Sequence, residues 1–146
     1  MSDTGQDNPR LININRAYGH TIVEGEYQNA ENDKLAALVQ VPGELYSTVN
    51  DLNKWCNAIL KEDVLDEELL YKMFSPHATV DFEPGLKYGY GWFLNGDHRF
   101  IVGGTPGFRS DVFQHPKHKI NIIMLWNNEK INSHELFGRI NDSLLN

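Results

Sequence analysis

The run FIVGGTPGFRS, residues 100–110, decides how the rest of the chain is read. Two adjacent glycines, a threonine and a Pro-Gly step stand between apolar runs. Glycine inside a strand weakens it, because backbone entropy is lost and there is no side chain to pack, unless the bare main chain is itself wanted. Two uses fit. GGTPG reads as a hairpin connection, since Pro-Gly is a common turn pair. Alternatively, the glycines let another group approach the backbone closely.

Outward from this run the apolar residues recur with period two. YGYGWFL, RFIV, FRSDVFQH and INIIMLW are four strand-like runs, separated by NGDH, GGTPG and PKHK, all with turn chemistry. Connections this short predict antiparallel neighbours, since they cannot cross over to make parallel ones. The last run, Ile120–Trp126, is almost continuously apolar and predicts a strand covered on both faces. Tyr88, Tyr90 and Trp92 alternate with glycines and read as a core-facing strand side or as the lining of a cleft.

Upstream the period becomes helical. In STVNDLNKWCNAIL, Leu52, Trp55, Cys56, Ile59 and Leu60 share a face, Ser47 or Thr48 stands at the N-cap, and Asp51 lies in the first turn. DEELLYKMFSP predicts a second, shorter helix opened by Asp66 and closed by Pro76, with Leu69, Leu70, Met73 and Phe74 as its stripe. Asp66, Glu67 and Glu68 read as helix-start charges rather than catalytic carboxylates. Residues 132–146 predict a closing helix, where Leu136, Phe137, Ile140 and Leu144 form one face behind a Ser133 cap.

The first stretch is irregular, with turn residues at 7–9, an alternating AYGHTIVEGEY and an apolar LAALVQV. The expected architecture is α+β. It is an antiparallel meander of three to five strands with amphipathic helices packed on it, organised as an irregular lead-in (1–42), a helical part (43–76), strands (87–127) and a helix (132–146).

At 146 residues the chain fits one domain, and a chain of that size buries roughly 68–70% of its unfolded surface. With 40% hydrophobic and 23% charged residues the composition is that of a globular domain. A net charge of −7 with scattered lysines and arginines supplies no basic stripe, which argues against nucleic acid and anionic membrane surfaces as partners. No apolar run approaches the length of a membrane span, and the polar opening residues do not resemble a signal peptide. Cys56 is the only cysteine; it cannot form an internal disulfide, reads as a small apolar group on a helix face, and identifies no compartment. His115 and His118 flank Pro-Lys in a turn; two histidines without a third ligand argue against zinc, and a solvated turn is expected there. Nothing in the sequence points to a cofactor.

GELYSTVNDLNKW, YGYGW, GGTPGF and INIIMLWNN, in this order and at these intervals, resemble the C-terminal part of the serine beta-lactamase and penicillin-binding protein family, in particular its class C and DD-peptidase-like branch. The opening MSDTG is similar to the Leu-Gly-Met-x-Asp-Thr segment of those proteins, and the likeness runs from residue 1 to about 128. The resemblance implies a serine acyl-transfer machinery of three elements: a Ser-x-x-Lys nucleophile motif, a Tyr-x-Asn or Ser-x-Asn motif, and a Lys-Thr-Gly or His-x-Gly triplet on the active-site strand.

Only the third element has a counterpart here. Ser2, Ser47, Ser75, Ser110, Ser133 and Ser143 are followed three positions later by Gly, Asn, Ala, Phe, Leu and Asn, never by lysine. Tyr27-Gln28-Asn29 matches Tyr-x-Asn but stands after the MSDTG block, where the family has its motif before it; it reads as a chance match. By the resemblance Ile101, Val102 and Gly103 take the place of the triplet, the N–H of Gly104 that of the oxyanion donor, and Thr105 completes the substrate-binding strand. Ile101 departs from the pattern, since an isoleucine neither moves protons nor attracts a carboxylate. His98, an odd offset away, falls on the other face of a regular strand.

Two functions follow from the resemblance. Either the chain is the C-terminal piece of a serine hydrolase acting on beta-lactams, D-Ala-D-Ala peptides or esters, inert alone and meeting its acyl substrate only with an N-terminal part. Or it is a non-catalytic binding module with that fold. In the family fold the last strand has a neighbour from the N-terminal part, so an unpaired edge is expected at INIIMLW. That edge would favour a homodimer or be covered by HTIVEGEY or LAALVQV.

Overall fold

The computed structural model describes residues 1–7, 12–30 and 45–145. In chain order these form β1 (Gly5–Gln6), β2 (His20–Val23), β3 (Glu26–Asn29), β4 (Leu45–Tyr46), α1 (Val49–Leu60), α2 (Glu67–Met73), β5 (Ala78–Thr79), β6 (Lys87–Tyr88), β7 (Phe93–Asn95), β8 (His98–Thr105), β9 (Phe108–His115), β10 (Ile120–Trp126) and α3 (Ser133–Leu145). One sheet runs β10-β9-β8-β7-β6-β5, and β1 with β4 and β2 with β3 make two-stranded ribbons. The architecture is α+β, as the sequence predicts. The sheet has six strands rather than three to five, because β5 and β6, two residues each, are too short to show a period.

The strand boundaries depart from the sequence reading in two places. YGYGWFL is not one strand: Tyr88 of β6 lies opposite Phe93 of β7, and the residues between them turn. Gly89 donates its N–H to Trp92 O at 2.8 Å and a side chain there would strike Met73 O, while Gly91 adopts φ 79°. Trp92 is therefore core, Tyr88 is half-exposed, and Tyr90 points outward against His77, ring centroids 4.2 Å apart. Three aromatics spaced by glycines do not line one strand face. In the second place, Gly103, Gly104 and Thr105 continue β8, leaving Pro106 and Gly107 as the whole connection to β9.

The chain divides into two compact units. The first comprises Met1–Ser2, Thr48–Val102 and Asp111–Ile123. Thr48 caps α1, its Oγ1 accepting from Asp51 N at 3.2 Å, and Asp66 caps α2 by accepting from Leu69 N at 2.8 Å. Each such cap contributes about 1 kcal/mol. Cys56, Ile59, Leu86, Trp92, Phe100, Phe113 and Ile122 are its buried apolar side chains. A polar network crosses this interior. Arg99 Nε donates to Gln114 Oε1 at 2.6 Å, while Gln114 Nε2 donates to Cys56 O at 2.9 Å and to Asn121 Oδ1 at 3.1 Å. The Arg99 guanidinium lies 3.2 Å from the Phe74 ring centroid. Burial brings its pKa down to about 10, and at neutral pH it stays charged.

The second unit comprises Asp3–Ser47, Gly103–Ser110 and Met124–Asn146. AYGHTIVEGEY makes the β2–β3 hairpin, with Val23 opposite Glu26 and both turn residues, Glu24 and Gly25, at positive φ. This hairpin meets the segment after β10 through a parallel bridge between His20 and Asn128, and does not run alongside β10. LAALVQV, the other segment expected to cover that edge, lies outside the described residues, as do residues 8 and 9 of the expected first turn. α3 is capped one residue earlier than expected. Asn132 Oδ1 accepts from Glu135 N at 3.4 Å, whereas Ser133 is buried and accepts from Arg109 Nε at 2.7 Å.

The last strand differs from its expected two-sided burial. Ile122 and Met124 are buried, but Leu125 between them and Trp126 is 38% exposed, so β10 has one covered face and, among the described residues, is terminal in the sheet. Among the described residues no helix is long and apolar enough to cross a membrane.

Candidate functional site

The turn between β8 and β9 fixes what the glycine run presents. Proline pre-sets φ at the first turn position and Gly107, at φ 79°, takes the second, which is the type II arrangement. A two-residue turn makes Thr105 and Phe108 the closing pair, and the register then runs Gly104 opposite Arg109, Gly103 opposite Ser110, Phe100 opposite Phe113, Arg99 opposite Gln114 and His98 opposite His115. The contacts agree: Phe100 and Phe113 stack at 5.3 Å, Arg99 bonds Gln114, and the His98 and His115 rings lie 5.2 Å apart.

Hydrogen-bonded and non-bonded pairs alternate along an antiparallel ladder. The closing pair is bonded, so Gly103 with Ser110 is bonded again and Gly104 is not: its N–H and C=O are directed away from β9. On that other flank β7 pairs with β8 from His98 to Phe100 and no further. Among the described residues no strand continues the pairing past Phe100, and Ile101, Gly103 and Gly104 are all exposed. A Cβ on Gly103 would lie 2.9 Å from Ser110 Oγ, so a side chain there would have to displace that hydroxyl; a Cβ on Gly104 would meet nothing closer than Phe108 O at 3.6 Å. The glycines are thus neither core nor hairpin tip.

The five sequence-predicted residues, Ile101, Val102, Gly103, Gly104 and Thr105, form the consecutive second half of β8. Ile101, Gly103 and Thr105 alternate to one side and Val102 and Gly104 to the other. Ile101, 36% exposed, brings no charge to this segment. His98 stacks with Phe100 at 6.0 Å on the side away from Ile101, at the opposite end of the strand from the glycines. It does not replace the missing cation or imidazole. Tyr27 and Asn29 sit exposed on β3.

His115 corrects the expectation of a solvated turn. It closes β9, is 2% exposed, and has His98 and His118 as ring neighbours at 5.2 and 6.4 Å. Among the described residues no group of three or more His, Cys, Asp or Glu is placed to hold a metal ion. Cys56 is fully buried, and burial pushes its thiol up to about 11, so it is an interior apolar group as expected.

Sequence reasoning missed what anchors the turn. Gly107 is buried between backbones: its N–H donates to Glu129 Oε2 at 2.8 Å, its C=O accepts from His20 N at 3.2 Å, and a Cβ would fall 2.7 Å from Gly19 Cα. Glu129 Oε1 also accepts from Thr21 Oγ1 at 2.5 Å. The Thr21 and Gly107 hydrogen bonds hold the Glu129 carboxyl below the usual carboxylate range. Glu129, Thr21 and Gly107 are too far apart in sequence for any local pattern to have joined them.

The Beta-lactamase family model matches residues 4–144. Among solved structures, the chain is similar to a penicillin-binding protein from Bacillus halodurans, with a TM-score of 0.80 and 20% identity over 95% of this chain and 43% of that one. It is similar also to the octameric penicillin-binding protein homologue from Pyrococcus abyssi, at 0.76 and 20% over 88% and 31%. A D-stereospecific amidohydrolase from Streptomyces sp. follows at 0.64 and 17% over 88% and 40%. No curated protein matches. The chain spans less than half the length of these three structures. The family model matches nearly the whole sequence and the solved structures share the α+β fold, and the chain belongs to the beta-lactamase family.

Proposed function

We propose that residues 1–146 supply the oxyanion-side strand of a serine acyl-transfer site, with Gly104 N–H as a donor to the reacting acyl oxygen and Ile101, Val102, Gly103 and Thr105 as the adjoining substrate strand. The observation that carries this reading is the direction of the Gly104 amide: away from β9, onto a flank that β7 leaves at Phe100. A preorganised backbone donor of this kind is worth several kcal/mol to a transition state that develops negative charge on oxygen. A glycine beside it leaves room for the acyl group to approach.

No serine in the chain is followed three positions later by lysine, so the nucleophile and its base belong to a different stretch of polypeptide. The chain alone is therefore inert. Its substrate class is acyl compounds attacked by serine, namely beta-lactams, D-Ala-D-Ala peptides or small esters. The structural neighbours support this by name, two as penicillin-binding proteins or homologues and one as a D-stereospecific amidohydrolase. Ile101 in place of a cation argues for a substrate whose recognition does not depend on a carboxylate beside this strand.

The test is to express the gene with whatever coding sequence precedes residue 1 and treat it with a fluorescent fluorophosphonate. A labelled serine in a Ser-x-x-Lys context, lost on heat denaturation and absent from residues 1–146 alone, is the expected result. A natural start at Met1 with no label, or a longer protein that never labels, supports the second reading, a binding module that keeps the fold without the chemistry. Ile101 is the observation that favours that alternative.

A further inference from the structure

We propose that Glu129 is the positioning residue of the β8–β9 turn, and that it fixes the Gly103–Thr105 segment of β8 by holding Gly107 and Thr21 on one carboxylate. The inference rests on the acyl-transfer reading, which assigns that segment to the substrate.

In a type II turn the N–H of the second turn residue is not used by the hairpin and must find a partner elsewhere. Here the Gly107 N–H donates to Glu129 Oε2 at 2.8 Å, and Thr21 Oγ1 donates to the other oxygen at 2.5 Å. Hydrogen bonds to a carboxylate are about twice as strong as neutral ones. The C=O of Gly107 is held in turn by His20 N, next to Thr21 on β2. One carboxylate thus ties the turn to β2 from the segment just beyond β10. Position 107 admits no side chain, because a Cβ would fall 2.5 Å from Ala30 Cβ and 2.7 Å from Gly19 Cα, so the backbones of Gly19 and Gly107 lie close together. Thr105 is two residues from this anchor and Gly104 three, so the direction of the Gly104 amide is inherited from the turn.

Of the contacts to Gly107, the one to Glu129 is ionisable. The charged group acting on the carboxylate is Lys130, whose Nζ is 4.0 Å away. His20, on the adjoining strand, directs its Nδ1 to Asn127 O at 3.2 Å rather than to Glu129. The folded carboxyl titrates below its ordinary value of 4.5. The anchor is therefore fully present above about pH 4.5 and is lost as pH falls through the lower folded value.

The test is amide NMR on residues 1–146 in wild type, Glu129→Gln and Glu129→Ala. In the wild type, the Gly107 and Gly104 amide resonances should follow one titration below pH 4.5. Glu129→Gln should abolish that titration while keeping the wild-type shifts of β8, because its amide still accepts from one partner and donates to the other. Glu129→Ala should speed exchange of the Thr105 amide about tenfold while leaving α1 unchanged. A Gly107 titration that Gly104 and Thr105 do not follow would overturn the proposal, as would unaltered Thr105 exchange in Glu129→Ala. Should Glu129→Ala unfold the chain, the wild-type and Glu129→Gln titrations decide. These outcomes are independent of fluorophosphonate labelling, so a failed acyl-transfer reading and a failed anchor are told apart.

Discussion

Ser110 Oγ stands 2.9 Å from the point where a side chain on Gly103 would begin, so the bare strand position and the hydroxyl opposite it are matched. Elsewhere in a strand, glycine to alanine gains about 0.5–1 kcal/mol. Gly103→Ala should be close to neutral in the wild type, because the gain is offset by displacing the hydroxyl. In a Ser110→Ala background it should stabilise by roughly 0.5–1 kcal/mol. Urea midpoints of the four proteins in the cycle measure this. Equal effects in both backgrounds would show that the two positions do not interact.

Gln114 serves three partners, and Arg99 has an aromatic surface to fall back on. Gln114→Ala leaves the Arg99 guanidinium and Cys56 O without the bonds they make at 2.6 and 2.9 Å. A loss of about 3 kcal/mol is expected. Arg99→Met keeps an apolar stem against Phe74 and removes the charge, and should lose about 1 kcal/mol. Chemical denaturation followed by tryptophan fluorescence gives both values; the reverse order would show that the charge, not the amide, organises the network.

His98 should make the folded protein less stable in mild acid. Burial first, and the neighbouring His115 second, lower its pKa from 6.5, with Asp97 opposing them. The folded state therefore favours the neutral ring. Stability is full above the unfolded value near 6.5 and falls as pH drops below it toward the lower folded value. The urea midpoint should decrease from pH 7.5 to pH 5.5, and His98→Phe should shrink the decrease. A slope unchanged by that substitution would assign the effect to other groups.

Among the described residues β10 ends the sheet, with Leu125 exposed, and an apolar strand edge tends to pair with another. Residues 1–146 should show concentration-dependent association in sedimentation, weakened by Leu125→Lys. A monomer at all concentrations would count against self-pairing through this edge.

The helices were legible in the sequence because a helix is specified locally. Thr48 and Asp66 cap their own first turns, and the apolar stripes of α1 and α2 follow a period that needs no distant partner. The same holds for the Pro106–Gly107 turn, whose residues carry its dihedral angles with them. The sequence by itself therefore determined the helices, the antiparallel order of the longer strands and the Pro106–Gly107 turn. It also determined that no serine here is followed three positions later by lysine.

The tertiary structure alone decided what those elements face. Gly103 and Gly104 read as a connection until the register put Ser110 opposite one and left the other's amide on an unpaired flank. His115 read as a turn residue until His98 covered it. Glu129 had no local signal, since its partners Thr21 and Gly107 lie 108 and 22 residues away. Local periodicity records the surface a residue prefers. Only the folded chain specifies which main-chain group comes to lie against it.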